Sequence, residues 1–149
     1  MMRREAGVLF TAAFVLVQAW CGGSSGDRPR DVLDAMQKVY SSDNFSDARK
    51  YYTKGTTGAL DELDKLNPRA RKDDSVPDGR FAKGARWEVI DETLQGDGAT
   101  VKIKYTKHPV ENNKGLDVSF AMKKEDGAWK IDMEKDVRET ISLIKKMKK

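Results

Sequence analysis

The chain has 149 residues, 35% charged and 38% hydrophobic, which suits one small domain with a heavily solvated surface plus an N-terminal appendage. Its 28 basic and 24 acidic residues leave a formal charge of +4, and the excess sits mostly at the extreme C-terminus. That argues against a nucleic-acid partner, which calls for cations gathered on a groove or face.

The first twenty residues read as an address. Arg3 and Arg4 form a positive start, and Ala6 to Val17 is uncharged and mainly apolar. This run is too short to span a bilayer comfortably as a permanent helix, so residues 1–20 are expected to be a signal peptide. Cys21 is the only cysteine and has no partner for an intramolecular disulfide. It stands between the apolar run and Gly22-Gly23-Ser24-Ser25-Gly26, a composition that makes a flexible tether. This arrangement resembles the lipidation site of bacterial lipoproteins, in which the cysteine thiol receives a diacylglyceryl group and becomes the new N-terminus. Trp20 and Gln18 depart from that pattern, which usually has a small residue and a leucine there. Cleavage after Ala19, at Val17-Gln18-Ala19, is the other reading, and it leaves a soluble protein with a free thiol. Lipidation accounts for both the lone cysteine and the tether.

After the tether (21–28), residues 29–149 read as a single α+β domain. Pro29 suits the first turn of a helix, and Val32, Leu33, Met36, Val39 and Tyr40 recur on one helical face. Ser41 to Asn44 breaks the pattern. A second short helix is expected with Phe45, Ala48, Tyr51 and Tyr52 facing inward. Gly55 interrupts it, and Thr56 or Thr57 is expected to cap a third helix through Ala59, Leu60, Leu63 and Leu66, closed by Asn67-Pro68. Arg69 to Gly79 is polar and reads as a loop, with Pro77-Asp78-Gly79 as its turn signal.

From Ala85 the period changes to two. Trp87 and Val89 share a face, and Gly96-Asp97-Gly98 ends the strand. Ala99, Val101, Ile103 and Tyr105 form the next inward row, with Lys102 and Lys104 opposite. Leu116, Val118, Phe120 and Met122 form the third row, opposite Asp117 and Ser119. Glu125-Asp126-Gly127 is a hairpin signal, and Trp129, Ile131 and Met133 complete the fourth row. Four strands with one apolar face make an antiparallel meander covered on one side, and the helices supply the cover. Glu134 to Lys149 returns to helical spacing through Val137, Ile141, Ile144 and Met147, giving a C-terminal amphipathic helix.

Chemistry-bearing residues are few. His108, the only histidine, has a side chain able to act as a general base near neutral pH; in Lys107-His108-Pro109 it reads as an exposed loop residue held extended by the proline. Asp91, Asp97, Asp117 and Asp132 read as solvated strand or turn carboxylates, some paired across to Lys102, Lys104 or Lys130. Tyr40, Tyr51, Tyr52, Tyr105, Phe45, Phe81, Phe120, Trp87 and Trp129 have the spacing of core residues. Lys145, Lys146, Lys148 and Lys149 form a basic end suited to an anionic lipid surface, or to a solvated helix terminus where cations favour the dipole. Phosphate loops, nucleophile elbows, zinc spacings and calcium loops are absent from the sequence, so no catalytic, cofactor-binding or metal residue is assigned.

Helices followed by a meander with Trp87, Gly96-Asp97-Gly98-Ala99-Thr100-Val101 and Lys124-Glu125-Asp126-Gly127-Ala128-Trp129-Lys130-Ile131-Asp132 resemble a family of bacterial lipoproteins. That family carries an uncharacterised lumazine-binding-like domain of the nuclear transport factor 2-like superfamily. The likeness spans about Pro29 to Met133. It implies a cone-shaped fold, a curved sheet wrapped around helices with room for a pocket at the wide end. The superfamily holds enzymes, ligand binders and interaction modules, so the fold selects no function. The expectation is a non-enzymatic binding or interaction module, with a partner protein or small ligand, anchored in the bacterial envelope through Cys21. The alternative is a small enzyme or ligand carrier using a pocket inside the cone.

Overall fold

A computed structural model describes residues 27–42, 45–67 and 80–148. The expected signal peptide, Cys21 with its glycine and serine tether, the polar loop over 69–79 and Lys149 lie outside the described residues, as does the side chain of Phe45. Among the described residues, three α-helices and one four-stranded antiparallel sheet make an α+β fold.

Helix α1 (Pro29–Ser41) starts where Asp31 Oδ2 accepts the Arg28 N–H at 3.2 Å. Val32, Leu33, Met36, Val39 and Tyr40 are all buried, as their spacing predicts. The segment after it is a 3-10 helix, Phe45–Tyr51, instead of the expected α-helix. Seven residues are too few for cooperative α-helix formation, and the tighter turn is used in pieces of this kind. It buries Ala48 and Tyr51 and is followed by Tyr52, also buried.

Helix α2 (Lys54–Leu66) begins earlier than the sequence suggested. Thr53, not Thr56 or Thr57, is the N-cap, its Oγ1 accepting the Thr56 N–H at 3.1 Å. Gly55 therefore lies in the first turn, where backbone N–H groups lack intrahelical partners in any case, so it interrupts nothing. Thr56 is instead buried, and its Oγ1 accepts the N–H of Met133 at 2.9 Å.

The sheet runs in chain order through β1 (Arg86–Gln95), β2 (Gly98–Lys107), β3 (Asp117–Glu125) and β4 (Ala128–Ile131). The inward row of β2 is buried throughout, as are Phe120 and Met122 of β3, Trp129 and Ile131 of β4, and Met133 beyond it. Val118 is half-buried. Leu116 breaks its expected row: it precedes β3 and is 49% exposed, its carbonyl accepting the Tyr105 N–H. The β3–β4 turn carries two positive φ angles, 51° at Asp126 and 79° at Gly127, the requirement of a two-residue hairpin turn that matches strand twist.

Strand β1 holds a bulge that alternation alone does not reveal. Val89 pairs with Ile103 but Asp91 pairs with Lys102, so Ile90 is the extra residue. The parity of the strand reverses there. Glu92 and Leu94, rather than Asp91 and Thr93, stand on the helix-facing side opposite Val101 and Ala99. Glu92 Oε1 then accepts the Arg30 N–H at 3.1 Å, supplying an anion to the N-terminal turn of α1.

Helix α1 crosses the inner face of the sheet. Helix α3 (Glu134–Met147) packs mainly on α2, burying Val137 and Ile141 and half-burying Ile144, while Met147 is exposed. Phe81, from the irregular segment before β1, fills the space between α1 and the sheet. It is fully buried, with ring centroids 4.8 Å from Phe120 and 5.7 Å from both Tyr40 and Trp87. A Phe side chain buried this way contributes about 1.5–3 kcal/mol.

Candidate functional site

Strand β4 is only four residues long, and a concavity lies beside the part of β3 that it leaves uncovered. Asp132 N donates to Ala121 O at 2.8 Å, while Lys124 N donates across to Asp97 O at 2.8 Å. Odd-numbered residues of β3 therefore direct their backbone groups away from β2, and even-numbered ones towards it. β4 covers the odd-numbered groups from Ala121 to Glu125. Beyond it, the N–H and C=O of Asp117 and Ser119 point to an edge that no described strand pairs with.

A groove of about 810 Å³ runs beside this half-edge. Ser119 and Ala121 form one side, the α3 face with Asp136, Glu139 and Ser142 the other, and Arg80 closes one end. Arg80 is held by Asp136 at 2.7 Å, and its carbonyl accepts the Tyr105 hydroxyl. Asp132 Oδ1 accepts the Glu134 N–H at 3.3 Å, at the start of α3, and Thr53 Oγ1 at 3.4 Å. Arg138 lies 2.8 Å from Glu134. Asp132, Glu134 and Asp136 are half-exposed and already engaged in capping or ion pairing, an arrangement suited to holding the walls in place, while Glu139 is exposed. Among the described residues none of them is set against a second carboxylate in a dry site, the pairing that divides acid and base roles between two carboxyl groups. Polar walls beside an unpaired strand edge can accept an extended polypeptide through backbone hydrogen bonds.

The other singled-out residues are dispersed. His108 is not the exposed loop residue expected: it is 8% exposed, its ring lies 4.8 Å from that of Tyr105, and its Nδ1 accepts the Val110 N–H at 3.0 Å. The short local bond satisfies one nitrogen and lets the ring pack, which the following proline alone did not suggest. Asp117 does pair with Lys102 at 3.3 Å and Lys104 at 3.9 Å. Asp91 and Asp97 are exposed. Lys145 bonds Glu62 at 2.9 Å, holding the Glu62 carboxyl below its ordinary range, and Lys148 donates to Leu66 O at 2.8 Å. Lys146 stays at the surface. Among the described residues no group of His, Cys, Asp and Glu side chains is placed to hold a metal ion, and no helix is long and apolar enough to cross a membrane.

Sequence reasoning did not find Arg80, Ser119 or Ser142. The signal available was the distance from Gly127 to Asp132, which leaves β4 room for only half of β3. In sequence the chain matches no family model and no curated protein.

Proposed function

We propose that this chain is an exported envelope lipoprotein, anchored through Cys21, whose domain is a non-enzymatic interaction module taking an extended polypeptide segment against β3. The finer fold that fits this reading is the cone-shaped, nuclear transport factor 2-like one, of which the β-meander over an aromatic interior is the supporting feature. The observation that carries the binding mode is the half-edge of β3, where the backbone of Asp117 and Ser119 opens onto a groove walled by α3. Main-chain hydrogen bonds from a docked strand supply affinity, and alternate side chains supply specificity. The rival, an enzyme or ligand carrier with a pocket inside the cone, needs space that Phe81, Phe120, Tyr40 and Trp87 occupy. The lipid holds the module at a membrane and raises its effective concentration for a neighbour there. The basic C-terminal stretch, with Lys146 exposed and Lys145 and Lys148 already engaged, is a secondary contact for anionic lipid in the same picture.

A photo-crosslinking residue at Ser142 tests the groove in intact cells. A polypeptide adduct is expected there, and not from the same probe at Thr100 on the outer face. Ser119→Pro removes an edge N–H that β2 does not use, a place where proline is tolerated in a sheet, so it should abolish the adduct while the domain stays folded. An adduct that survives Ser119→Pro, or that appears equally at Thr100, overturns strand addition. Anchoring is tested separately: Cys21→Ser should abolish lipid labelling and membrane retention, and unchanged labelling would sink it.

A further inference from the structure

The chain that leads to Cys21 leaves the domain at one particular end. Arg30, in the first turn of α1, is bonded to Glu92, only two residues before Leu94 near the tip of the β1–β2 hairpin. The β3–β4 hairpin reaches the same end, because Lys124 N donates to Asp97 O. The start of α2 is there too: Lys54 N donates to Glu125 Oε2 at 3.0 Å, and its ammonium lies 2.8 Å from Asp126. The β2–β3 connection, with His108 to Leu116, lies at the other end of β2, about 30 Å away by strand length.

The anchor end has unusual surface chemistry. Leu94 is 62% exposed on the helix-facing side, beyond the reach of α1. Lys123 stands directly opposite Lys130 across the β3–β4 ladder, a like-charged pairing that sheets ordinarily avoid. Lys130 Nζ donates to the Lys50 carbonyl, and Lys124 Nζ lies 5.8 Å from the centre of the Trp129 ring. No ion pair joins Lys123, Lys124 or Lys130 to an acid among the described residues, and only Lys130 is near enough to one to act on it, adding to the field on Asp126. Mid-sheet, by contrast, Lys102 and Lys104 share Asp117. Glu125 and Asp126 at the tip are both taken by Lys54, which also holds the Asp126 carboxyl below its usual range. Asp97, at the β1–β2 tip, is exposed.

Tether length decides which end can meet a bilayer. Six peptide units join Cys21 to Asp27, reaching at most about 22 Å fully extended and about 13 Å on average for a Gly/Ser-rich chain. A domain of this size is about 35 Å across. The tether is too short for the domain to turn its far end to the membrane with the α1 N-terminus uppermost.

We infer that the end formed by the α1 N-terminus and the two hairpin tips lies on an anionic lipid bilayer. Leu94 enters the headgroup layer there, and Lys123, Lys124 and Lys130 face lipid phosphates. This inference rests on the anchoring proposed above. It leaves the β2–β3 end facing away from the lipid.

The test couples the chain beginning at Cys21, through that thiol, to maleimide lipid in vesicles of phosphatidylglycerol and phosphatidylethanolamine. Amide hydrogen exchange is compared with the same chain, thiol-capped, in solution. Several-fold slower exchange is expected over 94–99 and 123–128, with none over 108–116. Lys123→Glu combined with Lys130→Glu should remove that protection while β2 keeps its own, which shows the variant still folded. Protection confined to 108–116, equal at both ends, or absent everywhere overturns the inference. Chemical coupling makes the result independent of lipidation in cells, which the mass of the N-terminal peptide from envelope-extracted protein decides on its own.

Discussion

On the inner face of the sheet Val101, Ile103, Phe120 and Ile131 lie buried beneath α1 and Phe81, while on the outer face Lys102, Lys104, Asp117 and Lys123 face solvent. The same strands supply both sets, one residue apart. Inside, contacts are many and dry, and removing atoms leaves a cavity that cannot fully relax. Outside, charges meet in high dielectric, where their attraction is weak and screened by salt. The fold therefore rests on one face, and the other is free to carry charge for contacts with something else.

Three substitutions sharpen or break this contrast. Phe81→Ala should have the largest effect, about 3–5 kcal/mol of unfolding free energy in urea, because four aromatic rings lose their common neighbour. A loss within error would mean that the stack is not what joins α1 to the sheet. Thr56→Val keeps the shape but leaves the buried N–H of Met133 without its acceptor, so about 1–3 kcal/mol should be lost. Rescue by Thr56→Ser, which restores the hydroxyl, would tie the loss to the hydrogen bond. Asp117→Asn, on the outer face, should cost at most about 1 kcal/mol, and the difference should vanish in high salt. A larger or salt-independent effect would show that the outer face is structural after all.

Much of the fold could be read from alternation and helical spacing. Ala99, Val101, Ile103 and Tyr105 fell on one face because a strand's period is two, and Val32 to Tyr40 on another because a helix's is near four. What escaped reading lacked a period. Phe81 reads as one core aromatic among several, and, alone in an irregular segment, it has no period to mark it as the centre of the core. Ile90 inserts one residue, and the two-residue period of Trp87 and Val89 gives no sign that parity reverses after Val89 until the pairing partner is known. Thr53 caps α2 although Gly55 follows, because a first turn tolerates glycine. The groove was invisible for a different reason. It belongs to no motif and exists because β4 stops short of Asp117 and α3 settles beside the vacant edge.

The ties between Tyr52–Thr56 and Ile131–Met133 join the two ends of the domain's sequence. Tyr52 bridges to Ile131 in parallel, Thr53 N donates to Ile131 O, and Thr56 bonds Met133 across 77 residues of sequence. Closing so long a loop has an entropic cost that no local contact offsets, and contacts of this separation form late in folding. The β3–β4 hairpin, with its favourable turn, is local and can form early, but the N-terminal helices find their seat only once that hairpin has been synthesised. During translation roughly the first 130 residues therefore lack the contacts that complete the core, and the chain remains threadable until its last strand emerges.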